Sequence, residues 1–195
     1  MSEILVFKVF IEGLENKIER DIAINDAKNV ADLAYTILAS FNSLAYHQYE
    51  INHNGIIYNC GAVDDFFEGE DATSTKLRKL KLELNEEMVM EYDFGSTTTF
   101  IIKLIDKLEF KNGDGNRYPK ILAGKGNGML DDISSEELIE IVEKTDRLGK
   151  SEYYYTPGYE VDMIYDYRVY NLKYDNDYLS SNFWKIKYGY EPDLD

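Results

Sequence analysis

The chain has 195 residues, 44% of them hydrophobic and 30% charged, with a formal net charge of −16. This length is enough to bury a core as one domain, or as one domain with an extension. The negative charge repels phosphate backbones and anionic membranes, so it disfavours direct nucleic-acid binding. One cysteine, Cys60, excludes an internal disulfide framework. Because no basic leader is present and no apolar run reaches about 18 residues, we expect a cytoplasmic protein that spans no membrane.

The N-terminal residues predict two strands and a helix. Residues 4–11 are almost continuously apolar, which is typical of a strand covered on both faces. In the next run, residues 18, 20, 22 and 24 (Ile, Arg, Ile, Ile) share one face and Glu19, Asp21 and Asn25 take the other, as in a half-buried strand. An amphipathic helix follows, with apolar residues at helical spacing over residues 30–41 and an N-cap at Asn25-Asp26 or at Asn29.

Two further pairs of strands follow this helix. Asn54-Gly55 is the strongest two-residue hairpin signal, because both turn positions favour positive φ. A longer hairpin is predicted over residues 88–110, turning at residues 93–96. The order strand–strand–helix–strand–strand predicts an α+β fold with a β-grasp-like core, extended by the long hairpin and by C-terminal helices.

The C-terminal part of the chain is helical and rich in tyrosine. Ser134 and Glu137 form a capping box, and Gly149 ends the helix that they open. Apolar residues at helical spacing after Asn176-Asp177 predict a terminal helix. Eleven of the 17 tyrosines follow Lys150, and we expect them to pack on a surface or form an interface. The candidate interface residues are Tyr153, Tyr154, Tyr155 and Tyr159. We therefore expect a domain over residues 1–149 and a tyrosine-rich extension over residues 150–195 that packs on it.

Two short runs permit more than one interpretation. Residues 76–81 carry four basic residues among leucines, which favours a strand edge protected by lysines over a nucleic-acid patch. Residues 124–128 read GKGNG. This run lacks the spacing of a dinucleotide fingerprint and the closing Lys-Ser/Thr of a P-loop, and no clear strand precedes it, so phosphate binding is the weaker interpretation.

Catalytic patterns are sparse. The two histidines, His47 and His53, would supply three zinc ligands together with Cys60, but their spacing matches no structural zinc pattern. No G-x-S-x-G or comparable turn places a nucleophile beside a histidine. From the residues alone we expect no catalytic residue, no cofactor and no metal ligand, and nothing requires an enzyme.

Several motifs together resemble a known family. They are Glu91-Tyr92-Asp93-Phe94-Gly95, Tyr118-Pro119, Gly124-Lys125-Gly126 and Asp131-Asp132, with Arg20, Leu33, Ile37 and His47-Gln48-Tyr49-Glu50 upstream. Over residues 4–145 this arrangement resembles the plasmid pRiA4b ORF-3-like family, which is also labelled as a TnpR-like passenger protein of an insertion element. The resemblance implies a surface of polar residues as the candidate functional site. These residues are Arg20, His47, Tyr49, Asp93, Lys125, Asp131 and Asp132.

The chain departs from the family pattern at several polar positions. The common family form Y-D-F-G-D-x-W-x-H ends here in Ser96, Thr98 and Phe100, and Ile18 and Ala34 replace a usual tryptophan and histidine. Any site built on those family residues is therefore expected to be lost or altered. The TnpR label points to a resolvase, but the chain has no basic helix-turn-helix and no serine with clustered arginines, so we interpret the label as a genomic association.

The sequence leaves three functional hypotheses. The first is a non-enzymatic interaction module that binds an unknown protein partner, or itself, through its tyrosine-rich segment. The second is an accessory nucleic-acid-associated protein of mobile elements, which rests on the resemblance and on residues 76–81. The third is a metal-dependent enzyme that uses Asp93, Asp131 and Asp132.

Overall fold

The computed structural model describes residues 2–60, 69–111, 117–154 and 163–192, without the side chains of residues 152–154 and 163. The strands are β1 (Glu3–Ile11), β2 (Glu19–Asn25), β3 (Tyr49–His53), β4 (Ile56–Asn59), β5 (Glu70–Asp71), β6 (Glu87–Tyr92), β7 (Thr98–Glu109), β8 (Lys120–Lys125), β9 (Glu152–Tyr154) and β10 (Met163–Tyr165). The helices are α1 (Val30–Ser40), α2 (Ser135–Leu148) and α3 (Leu172–Tyr190), and a single 3-10 turn spans Leu77–Lys79. Among these described ranges, no helix combines the length and the apolar character needed to cross a membrane.

Eight strands form one sheet in the order β5-β4-β3-β6-β7-β1-β2-β8, and β9 pairs with β10 in a separate small sheet. All neighbours in the large sheet are antiparallel except β4 and β5. The structure therefore confirms the α+β class and the strand–strand–helix–strand–strand order. It does not confirm the β-grasp-like description, because β6 and β7 lie between the β1–β2 hairpin and the β3–β4 hairpin.

The helix α1 is the centre of the core, since every one of its residues is buried. It contacts β2, β3 and α3. Of the two predicted N-caps, Asn29 is the one used: its side chain accepts from the Asp32 amide at 2.6 Å, and the Asp32 carboxylate accepts from the Asn29 amide at 3.3 Å. This capping box satisfies two helix-end donors that would otherwise be buried without partners.

A buried ion pair fastens α3 to the sheet. Arg20 of β2 is fully buried, and its guanidinium lies 2.9 Å from the Asp175 carboxylate of α3. The same guanidinium donates to the main-chain oxygens of Ser40 at 3.2 Å and Lys125 at 2.9 Å. A buried charge needs such a set of partners, because desolvation of an unpaired guanidinium is costly. Arg20 therefore joins β2, α1, β8 and α3.

The basic run at residues 76–81 is not a strand edge, so that prediction was wrong. Leu77 is buried and Leu80 packs against the core. Their spacing of three residues is the repeat of a 3-10 turn, in which side chains three apart share one face. Arg78 and Lys79 remain exposed on this turn, and the nucleic-acid alternative stays a prediction.

The glycines of the GKGNG run are explained by close packing of the main chain. Gly124 lies within β8, a strand that the sequence pattern did not predict. A Cβ on Gly126 would stand 2.0 Å from the Lys17 carbonyl oxygen, and one on Gly128 would stand 2.0 Å from that of Phe41. Gly126 also has a positive φ of 74°, which glycine adopts without strain. Packing therefore accounts for these glycines without any phosphate ligand.

The terminal helix begins earlier than predicted. Its N-cap is Asn171, whose side chain accepts from the Tyr174 amide at 3.0 Å. Asn176, which we expected just before the helix, instead pairs with the outer edge of β8: it accepts from the Ile121 amide at 3.0 Å and donates to the Ile121 carbonyl at 2.9 Å. One side chain thus occupies hydrogen-bonding groups that an exposed sheet edge would leave unpaired.

Candidate functional site

The site lies at one end of the sheet, where β3 begins and β6 ends. Tyr49 of β3 pairs with Tyr92 of β6, which places the segment before β3 beside the β6–β7 turn. The Asp93 amide in this turn donates to the Gln48 carbonyl at 2.9 Å. Strand pairing therefore brings His47 close to Asp93, although 45 residues separate them in the chain.

The N-terminus of α2 brings a third segment to the same place. The Ser135 amide donates to the Thr97 carbonyl at 3.0 Å, and the Ser135 hydroxyl accepts from the Thr99 amide at 2.9 Å. Both contacts anchor α2 on the start of β7. The residues that precede this helix, Asp131 and Asp132, therefore lie against the β6–β7 turn and the segment that carries His47.

A histidine between two carboxylates forms the centre of the site. The His47 Nε2 lies 2.8 Å from Asp132 Oδ1, and its Nδ1 lies 3.6 Å from Asp93 Oδ1. One donor atom from each of the three residues can be chosen so that all lie within 4.8 Å of one another. The side chains are 29% exposed for His47, 17% for Asp132 and 9% for Asp93. The cluster is therefore partly accessible to solvent.

Asp131 lies buried beneath the cluster and fixes the segments that carry it. It is fully buried, and its carboxylate accepts from the Ser43 hydroxyl at 2.7 Å, the Leu44 amide at 2.9 Å and the Tyr92 hydroxyl at 3.1 Å. Burial raises the pKa of Asp131, and the three donors oppose that shift. The role of Asp131 is to position the loop, since its oxygens are already occupied by these donors.

Two tyrosine hydroxyls fix the main chain of His47. The Tyr92 hydroxyl accepts from the amides of Tyr46 at 3.2 Å and His47 at 3.4 Å. On the other side, the Tyr190 hydroxyl at the end of α3 donates to the His47 carbonyl. Tyr46 places its ring 4.2 Å from the imidazole and donates its hydroxyl to Asp132. Burial, together with that bond to Asp132, raises the pKa of Tyr46.

Among the described residues, half of the non-glycine residues with positive φ lie around the same cluster. Four non-glycine residues with left-handed backbone conformations lie in its three segments. They are Asn42 (φ 60°), Ala45 (φ 56°), Asp93 (φ 61°) and Asp132 (φ 59°). Such conformations cost of the order of 1 kcal/mol or more each for non-glycine residues and are typical of functional sites. The strain is consistent with a fixed geometry for the two flanking carboxylates.

This set of donors is suited to a divalent cation. Imidazole nitrogens and carboxylate oxygens are both ligands that zinc, manganese or ferrous iron accept in proteins. Three protein ligands leave coordination positions open for water or a substrate. A cation would replace the hydrogen bond between His47 and Asp132, because the same atoms would become ligands.

The structure separates the other predicted site residues from this cluster. Arg20 belongs to the buried ion pair that joins α3 to the sheet, and it donates to the Lys125 carbonyl. Tyr49 is buried edge-on against Tyr35 and Tyr190, with ring centroids 5.9 and 5.3 Å away. Of the candidate interface residues, Tyr153 and Tyr154 lie in β9 with side chains that the structure does not describe. The other two, Tyr155 and Tyr159, lie outside the described residues.

The alternative zinc set of His47, His53 and Cys60 is not assembled. His53 contacts Glu86 at 2.7 Å instead, and Cys60 is buried after β4. The sequence named all three members of this cluster as surface candidates and grouped Asp93 with Asp132 in the metal-dependent hypothesis, but it did not join His47 to them. It did not predict Tyr46 or Tyr190 as site residues. No local pattern marks either tyrosine, because each acts through a partner at least 86 residues away.

The fold and site define an α+β protein with a histidine–carboxylate cluster at the end of an antiparallel sheet. A family model described as plasmid pRiA4b ORF-3-like protein matches residues 3–175. The chain therefore belongs to the plasmid pRiA4b ORF-3-like family, as its motifs predict. All three cluster residues lie in segments that carry the resemblance, whereas the missing family residues at Ser96, Thr98 and Phe100 are not part of the cluster.

A solved structure shares this fold. The crystal structure of MM3350, a protein of unknown function from Methanosarcina mazei Go1, has a TM-score of 0.64 and 23% sequence identity to this chain. The match covers 75% of this chain and 83% of MM3350. No curated protein matches the chain.

Proposed function

We propose that this protein binds a divalent transition-metal cation through His47, Asp93 and Asp132. The observation that carries the proposal is the convergence of one imidazole and two carboxylates from three chain segments, with donor atoms within 4.8 Å of one another. Hydrogen bonds with the Tyr92 and Tyr190 hydroxyls hold the main chain of His47 in place. Pre-positioned ligands of this kind reduce the entropic cost of binding a metal.

The partial exposure of the cluster favours a reactive site over a structural one. A structural zinc is enclosed by four protein ligands, whereas a catalytic metal keeps an open position. Here three side chains converge and the imidazole remains 29% exposed. A cation at this position would polarise a bound water or a substrate oxygen. The geometry thus favours the metal-dependent hypothesis over the other two.

Titration calorimetry with matched histidine variants tests this proposal. The protein is treated with a chelator, dialysed and titrated with Zn²⁺ or Mn²⁺. We expect one saturable site per chain, and a loss of about 100-fold or more in affinity for His47→Ala. The control is His53→Ala, since His53 also pairs with a carboxylate, at 2.7 Å from Glu86, but among the described residues it belongs to no group of three possible ligands. This control should bind the cation as the unchanged protein does.

Two outcomes would contradict the proposal. One is the absence of saturable binding at millimolar cation. The other is an equal loss of cation affinity in His47→Ala and His53→Ala, which would indicate that either histidine binds metal without need of the cluster. Either result would leave His47 as an imidazole that bridges two carboxylates for structural reasons.

The interaction hypothesis has its own supporting observation. Tyr174 and Tyr188 on the outer side of α3 are 59% and 53% exposed. Exposed aromatic side chains of this size favour protein–protein contact, because they supply apolar area together with a polar tip. A pull-down with the unchanged protein and with the double variant Tyr174→Ser/Tyr188→Ser tests this role. A partner, or a second copy of the chain, that is captured only by the unchanged protein supports it, and identical capture by both contradicts it.

A further inference from the structure

A groove on α3 has no role in the cation site. It lies beside the start of β8 and the turn that precedes α1, and it encloses about 350 Å³. Side chains from all three elements line it, among them Lys28, Tyr118, Pro119, Leu179, Phe183 and Trp184. Its volume is within the range of pockets that hold small molecules, roughly 300–1,000 Å³.

The groove has a buried apolar floor and an aromatic rim. Leu179 and Phe183 belong to the core and are 2% and 5% exposed, so their packing in the core fixes the floor of the groove. Trp184 is 53% exposed, and its ring meets Phe183 edge-on at 5.5 Å and 84°. An indole held in this way keeps much of its surface open to solvent. Half-exposed tryptophan above an apolar floor is a typical stacking surface for a planar ring.

Lys28 gives the groove a positive charge. Its main chain is fixed on both sides: the Lys28 amide donates to Asn25 at 3.0 Å, and its carbonyl accepts from Leu77 at 2.9 Å. Its side chain is partly buried, and within the described part of the chain its ammonium forms no ion pair or hydrogen bond. Among the residues that the structure describes, no carboxylate lines the groove, although the chain carries 37 acidic residues. The groove is therefore a local positive position on a strongly negative protein.

We propose that this groove binds a small aromatic anion. The planar ring would stack on Trp184, and the acidic group would pair with the Lys28 ammonium. Charge complementarity selects the anion, because a partly buried ammonium gains more from an anionic partner than it does in water. The aromatic rings of Phe183 and Trp184 select a planar ring over an aliphatic chain of equal volume.

A matched pair of fluorescent probes tests this inference. The anionic probe is 8-anilinonaphthalene-1-sulfonate, and the neutral probe is N-phenyl-1-naphthylamine, which has the same rings without the sulfonate. Trp184 is the only tryptophan in the chain, so energy transfer from tryptophan to the probe reports binding near this residue. We expect saturable binding of one anionic probe per chain, with about tenfold lower affinity for the neutral probe.

Variants of Lys28 distinguish charge-dependent binding from nonspecific hydrophobic binding. Lys28→Gln should reduce the affinity for the anionic probe about tenfold and leave the neutral probe unchanged, whereas Lys28→Arg should retain the preference for the anion. The control is Lys185→Gln on α3, because Lys185 follows Trp184 in sequence and is exposed but does not line the groove. Equal unfolding midpoints for the variants show that the fold is intact.

Three results would overturn the inference. They are non-saturable binding of the anionic probe, equal affinities for the two probes, and an equal reduction of the affinity for the anionic probe by Lys28→Gln and Lys185→Gln. The cation site does not enter any of these measurements.

Discussion

His47 is held at its peptide group from both sides, and the Tyr190 hydroxyl is the contact that comes from the far end of the chain. Tyr190→Phe removes this donor and leaves the ring stacked on Tyr35, at 5.3 Å. We expect a loss of about 1 kcal/mol in the free energy of unfolding and a roughly tenfold weaker cation affinity, since supporting contacts of this kind matter that much to metal ligands. Denaturant unfolding and calorimetry measure the two effects.

The control for this prediction is Tyr188→Phe, which removes an exposed hydroxyl two residues earlier. It should change neither quantity. If both variants behaved alike, Tyr190 would have no positioning role.

Glu86 offers a pH-dependent contribution to stability. Its pKa lies below the usual value of 4.5, because its carboxylate accepts from the Glu83 amide at 2.7 Å and from the His53 side chain at 2.7 Å. A carboxyl group with a depressed folded-state pKa stabilises the protein above its unfolded-state pKa, and that stability is lost as the pH falls through the folded value. We expect the difference in unfolding free energy between the unchanged protein and Glu86→Gln to shrink between pH 5 and pH 3. A constant difference across that interval would contradict this assignment.

At the scale of elements, α3 depends on the buried pair of Arg20 and Asp175. Burial raises the pKa of Asp175 and lowers that of Arg20, and each partner opposes the shift in the other. Asp175→Ala would leave the guanidinium buried without a counter-charge. We expect a loss of about 3–5 kcal/mol in unfolding free energy, measured by denaturant titration.

The double variant Arg20→Met/Asp175→Leu provides the comparison for this prediction. Replacing both charges removes the unpaired group, so part of the lost stability should return. If the double variant lost as much unfolding free energy as the single variants Arg20→Met and Asp175→Leu lose in sum, the two residues would act independently.

Elements with strong local signals could be predicted from sequence. Asn54-Gly55 gives the β3–β4 turn, and the capping box of Ser134 begins α2. Asn29, one of the two N-caps predicted for α1, begins that helix. The strand β8 could not be recognised, because it is short, contains Gly124 and is mostly exposed. Its edge is completed by a side chain of α3, Asn176, and a contact of that kind leaves no local pattern.

At the scale of the whole molecule, neither the strand order nor the site could be predicted from local sequence, for the same reason. The insertion of β6 and β7 between two earlier hairpins results from long-range pairing, which no single segment encodes. The cluster likewise joins His47 to a carboxylate 85 residues away. The family resemblance named all three residues as candidates for a functional surface. Only the folded chain brings their donor atoms within 4.8 Å of one another.

The contacts of α3 also bear on how the chain unfolds. Besides the Arg20–Asp175 pair, Lys187 lies 2.8 Å from Asp32 of α1. The division at residue 149 stays a prediction, and we expect the two parts to unfold together. Trp184 fluorescence reports on α3 and far-ultraviolet circular dichroism reports on the whole chain, so the two unfolding curves should coincide. A fluorescence transition at lower denaturant would show that α3 detaches first.

The most direct test of the central claim is anomalous diffraction from crystals soaked in Mn²⁺. We predict one strong peak about 2.0–2.3 Å from an imidazole nitrogen of His47 and from one carboxylate oxygen each of Asp93 and Asp132. The hydrogen bond that now joins His47 to Asp132 at 2.8 Å would be replaced by the metal. Crystals that show no peak at this position, with that hydrogen bond intact, would contradict the proposal.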